Sequence, residues 1–253
     1  MINRSLKTII TVPFQKQHWV AFYNMYRNYE NFYCNFRRYV IGGGKYPYEC
    51  KTKTPTGLVA PTLYSHHDLL TVNEIFCRLD YLANTDIKVV VDVGSNIGIS
   101  ALYFLSRNKQ AKCYLFEPDP NNIPKLHHNL SDYKTRYELH EKAVSDENAE
   151  VKFGIESTGR YGGIDVKTGN YISVACLDIN EILENILSKE KQIDILKLDI
   201  EGAELKTIAA IKPSFLKRIK HIYIEAEPER ALHTELFQGV QYGSVYQMTN
   251  KYL

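Results

Sequence analysis

The segment from residue 89 to 105 carries the spacing best suited to holding a small ligand. A run of valines ends at Asp92, and Gly94, Asn96 and Gly98 follow before an apolar helical pattern begins. Glycine lets the backbone approach a ligand closely, and a helix N-terminus offers free amide hydrogens to a carboxylate. Loops that bind nicotinamide cofactors usually read Gly-x-Gly-x-x-Gly. Here the spacing is Gly-x-x-x-Gly and an acid precedes it, which suits a ligand with an ammonium group. An ordinary strand–turn–helix corner is the alternative.

A second acid, Glu117, closes the next apolar run of the chain. A carboxylate at that point can accept hydrogen bonds from both hydroxyls of a ribose. A solvated acid at a strand end is the alternative for Glu117 alone. Because the glycine loop and Glu117 occur in order on successive predicted strands, together they favour a ligand that contains a nucleoside.

A third apolar run ends at Asp199, and Glu201, Gly202 and Glu204 follow where a helical pattern starts. Ligands of open α/β sheets bind beyond the carboxyl ends of the strands, where an acid can orient a substrate or take its proton. Acids also stabilise the first turn of a helix. We predict that Asp199 and Glu201 are catalytic and that Glu204 is structural.

A divalent cation is a further possibility at this edge. Glu225 and Glu227 alternate onto one face of a strand end, and with Asp199 they could hold magnesium or manganese. Acids at strand ends are common, so we favour a direct role for Asp199 without a metal.

Three weaker candidates could contact the substrate. Arg160 and Tyr161 lie in the glycine-rich stretch GRYGG, and His233 follows the fifth predicted strand. We expect the loop residues to reach the substrate if the loop folds over the cleft, whereas a lone histidine is usually structural.

The elements that must position these residues alternate from residue 88 onward. Strands are predicted at 88–93, 112–117, 136–144, 193–199 and 219–225, with two more near 150–155 and 171–176. Helices are predicted near 97–107, 120–130, 177–188, 201–211 and 229–238. This alternation is typical of an α/β fold with a mostly parallel, doubly wound sheet.

Aromatic residues recur at three- and four-residue steps between residues 14 and 40, which predicts a single helix with a buried aromatic stripe. This helix could be a lid, a contact between two copies, or a joint to a neighbouring domain. We expect a helical and irregular extension at 1–84 and the ligand-binding domain at 85–253.

Composition excludes several classes of partner. The chain of 253 residues has a net charge of +2 with both signs spread along it, so nothing indicates binding to nucleic acid. No apolar stretch approaches the length of a membrane span. The five cysteines form no Cys-x-x-Cys pair, which fits a reducing compartment such as the cytoplasm.

Taken together, VDVGSNIG, FEPDPNN, AVSD and LKLDIEGAE resemble the motifs of the FkbM family of methyltransferases. The resemblance implies a Rossmann-like class I methyltransferase fold, S-adenosyl-L-methionine as donor, and O-methylation of a sugar, glycan or other small molecule. It also implies which residues hold the cofactor: Asp92, Gly94, Asn96 and Gly98 at the methionine end, Glu117 at the ribose, and Val144, Ser145 and Asp146 at the adenine.

Two other functions stay open at this point. The first is methylation of a protein, a nucleic acid or another small molecule, although the Asn/Asp-Pro-Pro-aromatic loop of many amino-directed enzymes is absent. The second is a non-catalytic cofactor-binding module that contacts partners through its aromatic helix. A turnover assay with sugar acceptors separates these possibilities.

Overall fold

The computed structural model describes residues 16–156, 162–164 and 166–253. Within them the helices are α1 Lys16–Asn28, α2 Phe32–Ile41, α3 His66–Val72, α4 Ile99–Leu105, α5 Ile123–Asn129, α6 Ile179–Lys189, α7 Glu204–Ala210 and α8 Pro213–Leu216, with a π-helical segment at Asn73–Arg78 and a 3₁₀ turn at Ser131–Tyr133. The strands are β1 Tyr48–Glu49, β2 Thr52–Thr54, β3 Gly57–Val59, β4 Thr62–Leu63, β5 Val89–Val93, β6 Lys112–Phe116, β7 Tyr137–His140, β8 Ala143–Ser145, β9 Ala149–Ile155, β10 Gly162–Ile164, β11 Asn170–Asp178, β12 Ile193–Leu198, β13 Ile219–Ile224, β14 Phe237–Tyr242 and β15 Val245–Asn250.

The main sheet has seven strands in the order β14-β15-β13-β12-β5-β6-β7. Strands β13, β12, β5, β6 and β7 run parallel to one another. At the other edge of the sheet, β15 pairs antiparallel with β13, and β14 pairs antiparallel with β15. Strand β5 is buried along its whole length, as expected of a parallel strand covered by helices on both faces. The predicted mostly parallel, doubly wound α/β fold is therefore confirmed.

Strand order decides where the candidate site lies. Strand β5 lies between β6 and β12, and the chain leaves β5 in one direction for β6 and β7 and in the other for β12 and β13. Ligands of such sheets bind at this switch point, beyond the carboxyl ends of the strands. Asp92, Glu117 and Asp199 stand at or just after the ends of β5, β6 and β12, so parallel pairing brings all three to one edge.

A second, four-stranded sheet has the order β10-β9-β11-β8. The strands predicted near 150–155 and 171–176 are β9 and β11, which pair antiparallel. The predicted strand 136–144 is divided into β7 and β8, because β8 leaves the main sheet to pair with β11. A Cβ on Gly163 would lie 3.1 Å from Cβ of Glu201, so β10 lies against the loop that follows β12.

The prediction of one helix over 14–40 is wrong. Two helices, α1 and α2, occupy the described part of that range, and Tyr29 between them forms a β-bridge with Thr52. Asn31 then caps α2, since its side chain accepts a hydrogen bond from the amide of Cys34. A buried bridge and a new helix cap end α1 where the aromatic spacing alone predicts continuation.

The predicted aromatic stripe is only partly buried. Tyr26 and Tyr33 keep more than half of their surface in solvent, whereas Met25 and Tyr29 are buried and Phe32 packs partly buried against the core. Exposed apolar faces often mark an interaction site. A contact of this segment with a second copy or a neighbouring domain stays a prediction.

The helix predicted near 229–238 is not formed. Residues 229 to 236 are irregular, and the last two of the predicted positions already belong to β14. Pairing of β14 with β15 competes with the helical pattern and prevails, since it completes the antiparallel edge of the main sheet. No helix in the described residues is long and apolar enough to cross a membrane.

Each face of the main sheet carries its own hydrophobic cluster. One cluster packs α6, α7 and α8 against the sheet. The other contains α4 and α5, and it also contains Ala21, Met25 and Tyr29 of the N-terminal segment. The N-terminal helices are thus packed into the same core as β5.

This packing predicts that Met25→Ala destabilises the whole protein. Met25 is 2% exposed, and removing a buried side chain of that size lowers the free energy of unfolding by about 2–5 kcal/mol. Tyr23, two residues away and 58% exposed, is the control, and Tyr23→Ala should change stability by about 0.5 kcal/mol or less. Urea unfolding followed by circular dichroism measures both. Equal stabilities for the two variants would show that α1 lies outside the cooperative core.

Candidate active site

A cleft opens at the carboxyl edge of the parallel strands. Its floor is formed by the loops that follow β5, β6, β12 and β13. Its walls are formed by α3 with the following π-helical segment, by β9 and β10 of the small sheet, and by the turn between β14 and β15. Of the residues predicted to act, Gly94, Asn96, Glu117, Asp199 and Glu201 all line this cleft.

Gly94 allows the loop after β5 to touch the loop after β12. Its φ of 80° is in the left-handed region, and a Cβ at this position would lie 1.8 Å from the carbonyl oxygen of Asp199. No other residue fits without moving one of the two loops. The amide of Gly94 donates to the carbonyl of Phe116 at 2.9 Å, which also fixes the end of β6.

Beneath the loop lies a buried ammonium group. Lys197 is 1% exposed, and its Nζ lies 3.1 Å from Oδ1 of Asp92 and 3.2 Å from Oδ2 of Asp199. The same Nζ donates to the carbonyl of Gly94 at 2.9 Å. Burial alone would lower the pKa of Lys197, but the two carboxylates outweigh it and the pKa is raised. The lysine is therefore charged at neutral pH.

Asp92 does not itself line the cleft but supports its floor. It is fully buried at the end of β5, opposite Lys197 on β12. Burial raises the pKa of Asp92, while the charge of Lys197 and a 2.6 Å hydrogen bond from the Ser100 hydroxyl oppose that rise. The carboxylate thus joins β5, α4 and β12 through two polar contacts.

Glu117 lies on the opposite side of the loop from Lys197. Its Oε2 accepts from the amide of Asn96 at 2.7 Å, and its Oε1 accepts from the amide of Asp119 at 2.9 Å. Burial raises the pKa of Glu117 to about 7 despite these hydrogen bonds. Asn96 has a φ of 47°, a conformation that asparagine adopts more readily than most residues. A carboxylate fixed in this way can accept hydrogen bonds from a ligand entering the cleft.

Asp199 and Glu225 form the acidic end of the cleft. The side chain of Asp199 is 28% exposed, so it reaches the cleft while keeping its ion pair with Lys197 below. Glu225 is exposed, yet partial burial in the cleft, followed by the negative charge of Asp199, raises the pKa of Glu225 to about 8. The raised pKa favours a proton on Glu225, while the ion pair with Lys197 holds the Asp199 carboxylate in place.

Glu204 has the structural role that the sequence predicts, whereas the catalytic role of Glu201 stays a prediction. Oε1 and Oε2 of Glu204 accept from the amides of Ile200 and Gly202, both at 2.8 Å, so this buried acid holds the loop. Glu201 has a φ of 55° and turns its exposed side chain into the cleft. Glu204 is structural, and Glu201 lines the cleft.

Not all predicted residues meet at the cleft. Val144 lines it, whereas Ser145 does not, and Asp146 forms an ion pair with Lys206 at 2.8 Å. His233 also lies outside the lining residues, and its Nε2 is 3.2 Å from the carbonyl oxygen of Ile208. Gly98 begins α4 with a φ of 84° behind the cleft surface. Arg160 and Tyr161 lie outside the described residues.

The metal hypothesis finds no support in the structure. Within 16–156, 162–164 and 166–253, no group of three or more acidic, histidine or cysteine side chains is arranged to hold a metal ion. Glu227 does not line the cleft with Glu225. The positive charge next to Asp199 is instead the ammonium group of Lys197.

Sequence reasoning missed two residues of this site. Lys197 lies two positions before Asp199 in LKLD, and strand alternation puts both on the same face, a signal that was present in the sequence. Tyr81 enters the cleft from the segment before β5, and no motif marks it. Its position depends on tertiary packing.

Comparison with known proteins supplies the family. The model of the methyltransferase FkbM domain matches residues 92–243, which is more than half of the chain. The 2-O-methyltransferase NoeI of Sinorhizobium fredii is 27% identical over 171 residues, covering 60% of this chain and 66% of NoeI. The methyltransferase sdnD of Sordaria araneosa is 26% identical over 173 residues, covering 54% of this chain and 65% of sdnD.

Another relative is much longer. AmbE, an antimetabolite synthetase of Pseudomonas aeruginosa, is 26% identical over 206 residues, which are 67% of this chain and 10% of AmbE. The chain thus spans less than two thirds of the length of each of these relatives.

Solved structures show only distant likeness. A putative caffeoyl-CoA O-methyltransferase from Staphylococcus aureus aligns with a TM-score of 0.40 and 12% identity over 76% of this chain and 85% of that one. TrmK of M. capricolum, solved with S-adenosylhomocysteine, aligns with a TM-score of 0.36 and 11% identity over 72% of this chain and 68% of TrmK. Neither alignment bears on the acceptor.

The strand order, the motifs at the ends of β5, β6 and β12, and the domain match agree with one another. The fold is the Rossmann-like class I methyltransferase fold, and the chain belongs to the FkbM methyltransferase family.

Proposed function

We propose that the protein transfers a methyl group from S-adenosyl-L-methionine to a hydroxyl oxygen of a sugar, a glycan or a related small molecule. The observation that carries this proposal is the pair of carboxylates on opposite sides of one glycine loop. Glu117 is fixed by backbone amides on one side, and Asp199 reaches the cleft over Lys197 on the other. NoeI, named a 2-O-methyltransferase, supports the choice of a hydroxyl acceptor.

The residues present suit this cofactor. Glu117 offers a buried carboxylate to the ribose hydroxyls, and the backbone of Gly94 lines the cleft beside the loop of Asp199. Phe116 and Val144 provide apolar surface for the adenine. When bound, S-adenosyl-L-methionine supplies an electrophilic methyl carbon with a good leaving group, so the protein's contribution is mainly position and proton removal.

Asp199 is the residue best placed to take the acceptor's proton. Lys197 below it holds the carboxylate in place, and the exposed part of its side chain faces the cleft. Glu201 and Glu225 flank it and can orient other hydroxyls of the acceptor. Carboxylates accept hydrogen bonds from hydroxyl groups but repel phosphates, which argues against a nucleic-acid acceptor.

A product assay distinguishes the alternative functions from the proposed one. A protein or amine acceptor, or a module that binds the cofactor without turnover, would each give no methylated sugar in a product assay. The proposal also places the enzyme in a reducing compartment such as the cytoplasm, which its five free thiols suit.

We predict that Glu117→Gln weakens binding of S-adenosylhomocysteine by about 1–3 kcal/mol, the effect of losing hydrogen bonds to a charged group.

Calorimetry of the wild type should also show that binding of S-adenosylhomocysteine depends on pH. Because the pKa of Glu117 is raised to about 7, the ionised form that accepts from the ribose is present above that pH and is lost below it. Affinity should therefore fall as the pH drops below about 7, and Glu117→Gln should remove this dependence. Equal affinity in both proteins would remove Glu117 from the site.

We predict that Asp199→Asn or Glu201→Gln lowers turnover by roughly 100- to 10,000-fold, the usual contribution of a positioned general base, while S-adenosylhomocysteine still binds. A chelator should leave the wild-type rate unchanged, because Lys197 provides the positive charge beside Asp199. Loss of activity with the chelator and its return with magnesium or manganese would instead restore the metal hypothesis. Full activity in both variants would exclude this assignment of the base.

A further inference from the structure

Tyr81 is a buried tyrosine at the acidic end of the cleft. It is 5% exposed and lies between the π-helical segment and β5. Its ring centroid is 5.5 Å from Nζ of Lys197 on one side and 5.9 Å from the ring of Tyr223, edge to face, on the other. These contacts hold the ring in the wall of the cleft.

The hydroxyl of Tyr81 has no hydrogen-bond partner among the residues that the structure describes. Nearby tyrosines differ in this respect. The hydroxyl of Tyr223 donates to the carbonyl of Leu82, and the hydroxyl of Tyr103 accepts from the amide of Ala83 at 3.2 Å. The Tyr81 hydroxyl is also not among the described polar atoms that are fully buried without a hydrogen bond, so it reaches the surface of the cleft, where a ligand can accept its hydrogen bond.

The charges around Tyr81 make its hydroxyl a donor. Burial, followed by the neighbouring acidic groups of Asp199, Glu225 and Asp92, raises the pKa of Tyr81 well above its ordinary value. The hydroxyl therefore stays protonated. Of the other charged groups near it, Lys197 is held by its two carboxylates, and Asp80 is held by Arg78.

We propose that the Tyr81 hydroxyl donates a hydrogen bond to the acceptor oxygen that loses its proton to Asp199, and that this selects a hydroxyl over an amine. This inference rests on the function proposed above. It assigns Tyr81 as a residue that contacts the substrate and determines specificity.

The selection follows from counting lone pairs. As the oxygen's proton passes to Asp199, one lone pair forms the new O–CH₃ bond, and the electron pair of the breaking C–S bond stays on sulfur. The second lone pair of the oxygen accepts from Tyr81 throughout. A neutral amine nitrogen uses its single lone pair in the attack, and an ammonium group has none. With a nitrogen acceptor the Tyr81 hydroxyl thus stays unsatisfied, which is costly in a buried site.

The test compares Tyr81→Phe with the wild type on a panel of methyl glycosides and on amino-sugar counterparts in which an amine replaces one hydroxyl. Methylated products are measured by mass spectrometry, and S-adenosylhomocysteine binding is measured by calorimetry. Tyr114→Phe is the control, since Tyr114 is buried in the same sheet but its hydroxyl bonds Glu190 away from the cleft.

We expect Tyr81→Phe to lower kcat/KM for the methylated glycoside by roughly 10-fold or more, the effect of losing a hydrogen bond to the reacting group. The preference for hydroxyl over amine should fall with it, while S-adenosylhomocysteine binds as in the wild type and Tyr114→Phe behaves as the wild type. Unchanged kcat/KM, or an unchanged preference, would overturn the proposal. Weaker S-adenosylhomocysteine binding would also overturn it, since the hydroxyl would then serve the cofactor. A wild type that methylates only the amines, or no member of the panel, would contradict the proposed function itself.

Discussion

The buried ammonium of Lys197 is the contact on which the rest of the site depends. Removing a lysine from water is costly unless opposite charges and hydrogen bonds replace the solvent. Asp92, Asp199 and the carbonyl of Gly94 supply that replacement, each within 3.2 Å of Nζ. Because the three groups belong to the ends of β5 and β12 and to the loop between β5 and α4, one side chain fixes the floor of the cleft and the direction of Asp199.

This arrangement separates the cleft into two ends with different chemistry. At one end Glu117 is held by backbone amides and lines the cleft with a carboxyl group whose pKa burial raises to about 7. At the other end Asp199 and Glu225 lie close together, and burial, followed by the charge of Asp199, raises the pKa of Glu225. Tyr81, in the segment before β5, completes the second end, and it packs in the same hydrophobic cluster as Ala21 and Met25 of α1.

Much of this site could be predicted from the sequence because parallel strands end at one edge, so acids that follow successive apolar runs must converge. The failures have physical causes. Tyr29 and Asn31 interrupt the aromatic helix through a long-range bridge and a cap, which periodicity does not reveal. The spacing of Lys197 from Asp199 places both on one face, but its charge argues against burial, because charged residues are rarely buried. Tyr81 depends on packing between distant segments, and no local pattern marks it.

A double-mutant cycle of Lys197 and Asp92 tests most directly whether the buried ammonium group compensates the charge of the buried carboxylate. Unfolding in urea would be measured for Lys197→Met, Asp92→Asn and the double variant. Breaking a buried pair from one side leaves an uncompensated charge, so Lys197→Met should lower the free energy of unfolding by about 3–5 kcal/mol. Asp92→Asn should destabilise the wild type but stabilise the Lys197→Met protein, because there it removes an unpaired buried charge. Additive losses in the double variant would contradict the account, since they would show that Lys197 and Asp92 act independently.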